Sequence, residues 1–165
     1  MSEQKRARIQ LIVFRLDQDE FAVPIEQVWH VERLAEQTIT WVPRGPDFLE
    51  GVFNVRGQVI PVLDLKKRLG MPAGEHSPRA RVLIVEMQDQ RVGLIVDAVS
   101  DILWFATAKV EPPPPMVAQI SGVFVQGVVR EEERLLILLD LREVLSPRER
   151  VELKERLEQQ GKPEE

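Results

Sequence analysis

Apolar residues fall along most of the chain in short, β-rich blocks separated by polar breaks of two or three residues. Ile9 to Leu16 and Glu20 to Val23 flank Asp17-Gln18-Asp19, a pattern that predicts a β-hairpin. Pro24 suits the first position of a helical turn over Ile25 to Val28, after which Trp29 to Leu34 reads as extended. Thr38 to Val42 is a further β-rich run, ended by Pro43, Gly45 and Pro46, and a short turn over Asp47 to Glu50 leads into the most strongly patterned stretch, Gly51 to Leu65. There Val52 to Val55 and Val59 to Leu63 flank Arg56-Gly57-Gln58, with Gly57 supplying the positive φ that so tight a turn needs. Strand alternation places Val52, Asn54 and Arg56 on one face and Phe53, Val55 and Gly57 on the other, so a long cation stands at the mouth of a mostly apolar ribbon. A solvated turn arginine with no role is the competing reading of Arg56. Leu65 to Leu69 then reads as a brief helix stopped by Gly70 and Pro72.

Residues 71–78 carry no periodicity and two prolines, which predicts an exposed loop, and beyond it the pattern starts again. Arg81 to Met87 and Arg91 to Val96 flank Gln88-Asp89-Gln90, and Asp97-Ala98-Val99 precedes the apolar run Ile102 to Phe105. Phe21, Val23, Ile25, Glu26, Val28 and Val31 reappear as Val92, Leu94, Val96, Asp97, Val99 and Ile102, each 71 residues on (92 − 21). Gly51-Val52-Phe53 matches Gly122-Val123-Phe124 at the same offset, whereas Val62-Leu63-Asp64-Leu65 returns as Leu138-Leu139-Asp140-Leu141 at 76 (138 − 62). The five-residue difference predicts a longer second hairpin around Arg130 to Arg134. A period of this length is that of a small barrel, not of a solenoid repeat. The chain is therefore expected to form one domain over residues 1–145, built from two lobes at roughly 9–70 and 79–145 that share strands or core, followed by a helix and tail over 146–165. Ser146-Pro147-Arg148-Glu149 has the form of a capping box, and Val151, Leu153 and Leu157 give that helix a narrow apolar stripe suited to the surface. Pro112 to Pro115 reads as a stiff extended connection, and Gly161 to Glu165 as a frayed tail.

Composition narrows the function. With 165 residues, 44% of them hydrophobic, the chain can fill a core, and the absence of cysteine excludes disulfides, thiolate metal sites and cysteine nucleophiles while fitting a reducing cytoplasm. Twenty-two basic residues against 27 acidic ones leave no positive field for nucleic acid. The basic residues Lys5, Arg6 and Arg8 precede only a short apolar run, too short for a signal peptide or a membrane span.

Candidate chemistry is sparse. His30 and His76 have no second histidine or cysteine at metal-ligand spacing, so no metal and no cofactor are expected. Asp64, Asp97 and Asp140 follow apolar runs, as the phosphoacceptor of a receiver domain does, but the adjoining acidic pair and the parallel α/β sheet are missing. Each is better read as a polar strand end that accepts backbone N–H bonds where a short helix starts. Trp29, Trp41, Trp104, Phe48 and Phe105 lie near hairpin ends, and one or two of the five are expected on a working surface, because tryptophan and arginine dominate binding hot spots.

The hairpin signature from Gly51 through Arg56-Gly57 to Asp64-Leu65, the segment Val92-Gly93-Leu94-Ile95-Val96-Asp97-Ala98-Val99, and Leu136-Ile137-Leu138-Leu139-Asp140 together resemble the CheW family of chemotaxis coupling proteins over roughly Ile9 to Leu145. The resemblance implies an all-β fold of two intertwined SH3-like five-stranded barrels with short helices, and no enzyme activity. It implies a cytoplasmic adaptor, recruited to receptor arrays at the membrane without inserting into it and monomeric in isolation, that binds the cytoplasmic tip of a chemoreceptor (a methyl-accepting chemotaxis protein) and the regulatory domain of the histidine kinase CheA. The receptor groove would include Val28, Gly51, Arg56 and Ile102, with Gly57 shaping the turn and kinase contacts on the barrel ends of both lobes. Where many members of the family carry a glutamate that pairs with the hairpin arginine, this chain has His30, so Glu32 or the receptor must satisfy Arg56. A coupling protein of a pilus or gliding pathway, and a small ligand-binding or enzymatic barrel using the cleft between lobes, are the alternatives.

Overall fold

Eleven strands alternate with short helical turns in the computed structural model, which describes residues 7–43, 45–87, 90–115 and 125–161, except the side chains of 156 and 158–161. The strands are β1 (Arg8–Leu16), β2 (Asp19–Pro24), β3 (Val28–Arg33), β4 (Leu49–Val55), β5 (Gln58–Asp64), β6 (Arg81–Glu86), β7 (Arg91–Val96), β8 (Ala98–Ala106), β9 (Val110–Glu111), β10 (Val125–Glu131) and β11 (Arg134–Leu139). Helix α1 (Leu65–Arg68) follows β5, helix α2 (Pro147–Gly161) closes the described chain, and 3₁₀ turns occupy Ile25–Gln27, Leu34–Glu36, Thr107–Lys109 and Leu141–Glu143.

Two sheets carry the fold, ordered β8-β1-β2-β11-β10-β9 and β3-β6-β7-β5-β4. Each draws strands from both halves of the repeat: β1 and β2 join β8 to β11, and β3, β4 and β5 join β6 and β7. The segments 9–70 and 79–145 are thus sequence copies whose strands are exchanged in space, stitched by the parallel pairs β2·β11 and β5·β7. The family resemblance implied five strands per barrel. One sheet has five and the other six, the extra member being the two-residue β9; its counterpart in the first copy is the lone bridge between Thr40 and Val52, which is all the pairing that Thr38 to Val42 makes.

Strand alternation explains the three cores. In β1, Leu11 and Val13 point into a cluster with Ala22, Phe105, Val129 and Leu136, while Ile12, Phe14 and Leu16 point into a central cluster shared by both sheets. In β4, Val52 faces that central cluster while Phe53 and Val55 face a third with Ile60, Val62, Ile84 and Ile95. Each sheet therefore curls around its own interior, and the two are joined by a common one. Strands buried on both faces read as continuous apolar runs, as these do.

The repeat is more regular than its sequence suggested. The β10–β11 hairpin has the same two-residue connection as β4–β5, so the five extra residues lie before it, between Glu111 and Val125, not around Arg130 to Arg134. By sheet position the equivalent of Gly51 is Gly127, 76 residues on (127 − 51), because a Cβ at either would overlap a carbonyl oxygen of the neighbouring strand, that of Thr40 or that of Glu111. Gly122-Val123-Phe124 lies outside the described residues, as do Gln88-Asp89 and the tail from 162 onward.

Asp64 and Asp140 cap the helical turns that follow them: Asp64 Oδ1 accepts from the N–H groups of Lys66 and Lys67 at 3.0 and 3.3 Å, and Asp140 Oδ1 from Arg142 at 3.0 Å. Asp97 departs from that expectation. It is followed by β8, and its carboxylate accepts from the N–H of Asp17 across the sheet, at 2.7 Å. The capping box of α2 forms, with Ser146 Oγ accepting from Glu149 N–H at 3.1 Å and Glu149 Oε1 from Ser146 N–H at 2.8 Å. Leu153 is sunk into the central core and Leu157 packs beside it, but Val151 is exposed and drops out of the stripe. His76 departs from the exposed-loop reading: its Nε2 lies 3.4 Å from the buried carboxylate of Asp64.

Candidate functional site

The β4–β5 turn is the natural starting point, because its backbone is unusual. Arg56 has φ 51° and Gly57 φ 85°, the pair of left-handed conformations of a type I′ hairpin, so Arg56 as well as Gly57 bears the positive φ. The strain at a non-glycine residue is offset by Asn54 Oδ1, which accepts from the N–H of Gly57 at 3.0 Å. The turn is therefore held at the surface, with Arg56 exposed.

Arg56 does not meet Glu32. Its Cζ stands 5.7 Å from the ring centroid of Trp29 on β3, while Glu32 accepts from Gln37 Nε2 at 3.4 Å and faces His30 Nε2 at 2.9 Å. The other side of the expectation, a histidine that breaks the arginine's charge pair, is thus realised by a different pairing: His30 takes the glutamate, and an aromatic face takes the arginine. Trp29 carries a second cation: Arg91 of β7 lies with its Cζ 3.6 Å from the ring centroid and donates from Nη1 to Gln58 Oε1 at 2.8 Å and from Nη2 to Glu86 Oε1 at 3.2 Å. Trp29 packs beneath on the cluster of Phe53 and Val55, so the two guanidinium groups are set on a rigid base. From the sequence, Trp29 reads only as an aromatic near a hairpin end. Its stacking with Arg56 and Arg91 depends on the order β3-β6-β7-β5-β4, which local sequence spacing does not encode.

The remaining candidates divide between the sheets. Val28 opens β3 and packs on the central core, next along the chain from Trp29 and two residues from His30. Gly51 is buried beside Thr40 with φ 154°, a structural position with no room for a side chain. Gly57 is exposed at the turn. Ile102 is on β8, the edge strand of the other sheet, paired with Ile12 and 55% exposed; Val31, its equivalent on edge strand β3, is also exposed. The structure therefore joins Arg56, Gly57, Trp29 and His30 into one surface, and sets Ile102 on the other sheet. Of the five aromatics named from the sequence, Trp41 and Trp104 are the exposed ones, Phe105 is buried, and Trp29 and Phe48 are half-buried.

The hairpin end of the other sheet is electrostatically different. Arg134 of β11 donates to both carboxylate oxygens of Glu20, at 2.6 and 3.1 Å, and to Asp101 at 3.0 Å. These bonds raise the arginine's pKa and hold Glu20 below the usual carboxylate range, the hydrogen bond outweighing partial burial. Among the described residues, no cluster of three His, Cys, Asp or Glu side chains is arranged to hold a metal, and no helix is long and apolar enough to cross a membrane. An open cleft of about 530 Å³ beside β5 is lined, among the described residues, by Gln58, Val59, Met87, Gln90 and Leu157 together with Glu86 and Arg91, which are paired with each other.

Comparison with known proteins places this arrangement. Residues 10–149 match the CheW-like domain. The chain is similar to the chemotaxis protein CheW of Rhizobium meliloti, 36% identical over 141 residues that cover 86% of this chain and 90% of the relative. It is 36% identical to the chemotaxis protein CheW of Bacillus subtilis over 135 residues, 82% of this chain and 85% of that one. The crystal structure of the scaffolding protein TtCheW from Thermoanaerobacter tengcongensis superposes with a TM-score of 0.76 at 37% identity, covering 82% of this chain and 91% of that one.

Proposed function

Because this chain belongs to the CheW-like family, we propose that it is the coupling adaptor of a chemosensory pathway, holding the cytoplasmic tip of a chemoreceptor and the regulatory domain of the histidine kinase CheA in one complex. The observation that carries the reading is the continuous match over residues 10–149 together with an arginine turn mounted on Trp29. The role needs no catalysis. Two partners held on one scaffold meet at a raised effective concentration, and a fixed geometry lets the state of one bias the other.

Arg56 is the receptor-facing cation: an exposed planar fork on a rigid turn, with Trp29 beside it, suits carboxylates and carbonyls of a helical tip. Val28, His30 and Ile102 supply the groove wall, Gly57 frees the turn, and Gly51 permits the close packing beneath it. Kinase contacts belong on the barrel ends of both lobes. Val59 and Leu135, exposed at equivalent places in the two hairpins, support that assignment. The protein works in the cytoplasm as a monomer recruited to receptor arrays.

The test is a reconstitution. A receptor cytoplasmic fragment and the kinase regulatory domain, mixed at micromolar concentration, should co-elute only when this chain is added. Binding to neither partner would end the adaptor reading.

A further inference from the structure

The receptor-facing residues lie on two sheets, so something must fix how the sheets stand to one another. The chain passes between them at two equivalent crossovers, β2 to β3 through Ile25–Gln27 and β7 to β8 through the single residue Asp97. The first is secured by a neutral bond: buried Gln27 accepts through Oε1 from the N–H of Leu141, at 2.9 Å. The second is secured by ions. Lys66 Nζ lies 3.1 Å from Asp97 Oδ2 and 3.1 Å from Asp17 Oδ1 in the β1–β2 turn, and its side chain is 8% exposed. Asp97 is held further, with its N–H donating to Arg15 O at 3.0 Å and its Oδ2 accepting from Asp17 N–H. The lysine itself is anchored to the other sheet, because α1 starts at the end of β5 and the N–H of Lys66 is capped by Asp64.

We propose that Lys66 is a positioning residue whose ammonium, by binding Asp97 at the crossover and Asp17 in the neighbouring turn, sets the orientation of β8 and Ile102 relative to β3 and Arg56. Lys66 and Arg142 are equivalent in the repeat (142 − 66 = 76), yet Arg142 gives its side-chain hydrogen bonds to its own capping residue Asp140 and acts on Glu26, the equivalent of Asp97, through charge alone, so among the described residues the hydrogen-bonded ionic clasp is at the second crossover. Two carboxylates meet one cation there, and removing the cation leaves Asp17 and Asp97 repelling each other at the place where the chain enters β8. Burial opposes the lysine's charge, but its two carboxylate hydrogen bonds outweigh burial and hold its pKa above the ordinary lysine value, so the clasp is present throughout the physiological range. A sub-ångström shift at such a seam is enough to loosen a site built across it.

The inference rests on the receptor-binding reading above, and its test separates the two. Lys66→Met and Lys66→Arg are made in the full chain, affinities for a receptor fragment and the kinase regulatory domain are measured, and residual dipolar couplings of backbone amides report the orientation of each sheet. Lys66→Met should weaken receptor binding about tenfold or more, and the couplings should fit each sheet alone but require a changed angle between them, which kinase contacts spread over both lobes should also register. Lys66→Arg, which keeps the charge, should restore receptor binding to within about threefold. If Lys66→Met does not fold, Asp97→Asn, which leaves the lysine on Asp17, should shift the angle and the receptor affinity the same way. An unchanged angle, or receptor binding that stays within about twofold of wild type, overturns the proposal. Should the wild-type chain bind no receptor, the adaptor reading falls by itself, and the couplings still decide whether Lys66 sets the sheets' orientation.

Discussion

The β4–β5 and β10–β11 hairpins share a two-residue connection and differ in almost everything charged. Both turns place their first residue in the left-handed region, Arg56 at φ 51° and Glu132 at φ 53°. Both strands that follow expose an apolar residue at the same position, Val59 and Leu135. Yet one turn is Arg56-Gly57 with Arg91 close behind on Trp29, and the other is Glu132-Glu133 beside Glu20, Asp101 and Arg134. Even equivalent positions oppose each other, Arg91 standing where its counterpart is Glu20 (91 − 20 = 71). Repeated apolar positions preserve the fold, while charge separates the ends, so under the proposed function partner discrimination falls to the charge.

The largest effect comes from cutting the repeat itself. Residues 1–73 expressed alone would hold β1 and β2 without β8 and β11, and β4 and β5 without β7, so neither sheet could close. A well-dispersed amide spectrum from that fragment would turn the comparison into one between independent modules. Next in size are the two equivalent glycines. Gly51→Ala and Gly127→Ala should each cost about 2–4 kcal/mol in urea unfolding, because the neighbouring backbone must move, with Gly51 the worse for its positive φ. Tolerance at one position and not at the other would deny that they are the same joint.

A smaller effect is electrostatic and confined to the acidic hairpin. Glu20 has a depressed pKa, so its contribution is fully present above its unfolded value of 4.5 and is lost as pH falls through the folded one. Arg134→Met should lower stability by roughly 1 kcal/mol at neutral pH, discounted for solvent screening, and by less than that at pH 3. A pH-independent loss would assign the effect to packing.

The hairpins were legible because alternation and turn residues are local: Ile9 to Val23, Gly51 to Leu65 and Arg81 to Val96 form as their patterns predict. The repeat was legible too, but its offset was misplaced, since Gly122 and Gly127 both offer a glycine and only the sheet distinguishes them. Arg56 is legible as a turn residue, but it does not pair with Glu32, whose carboxylate is held by His30 and Gln37 while Arg56 stands over Trp29. Its true neighbours, Trp29 and Arg91, arrive on strands separated in sequence from β4, and Lys66 reads as an ordinary surface lysine until Asp17 and Asp97 are brought to it.

Under the proposed function the basic turn, and not its acidic twin, meets the receptor. Receptor and kinase affinities of Arg56→Ala and Glu132→Ala, measured beside wild type by calorimetry with melting temperatures recorded, decide it. Arg56→Ala should lose about 1.5–3 kcal/mol of receptor binding, the scale of a hydrogen bond to a charged group, with kinase binding and melting temperature near wild type. Glu132→Ala should leave receptor binding unchanged. Equal receptor losses in both variants, or no loss in Arg56→Ala, would contradict the claim.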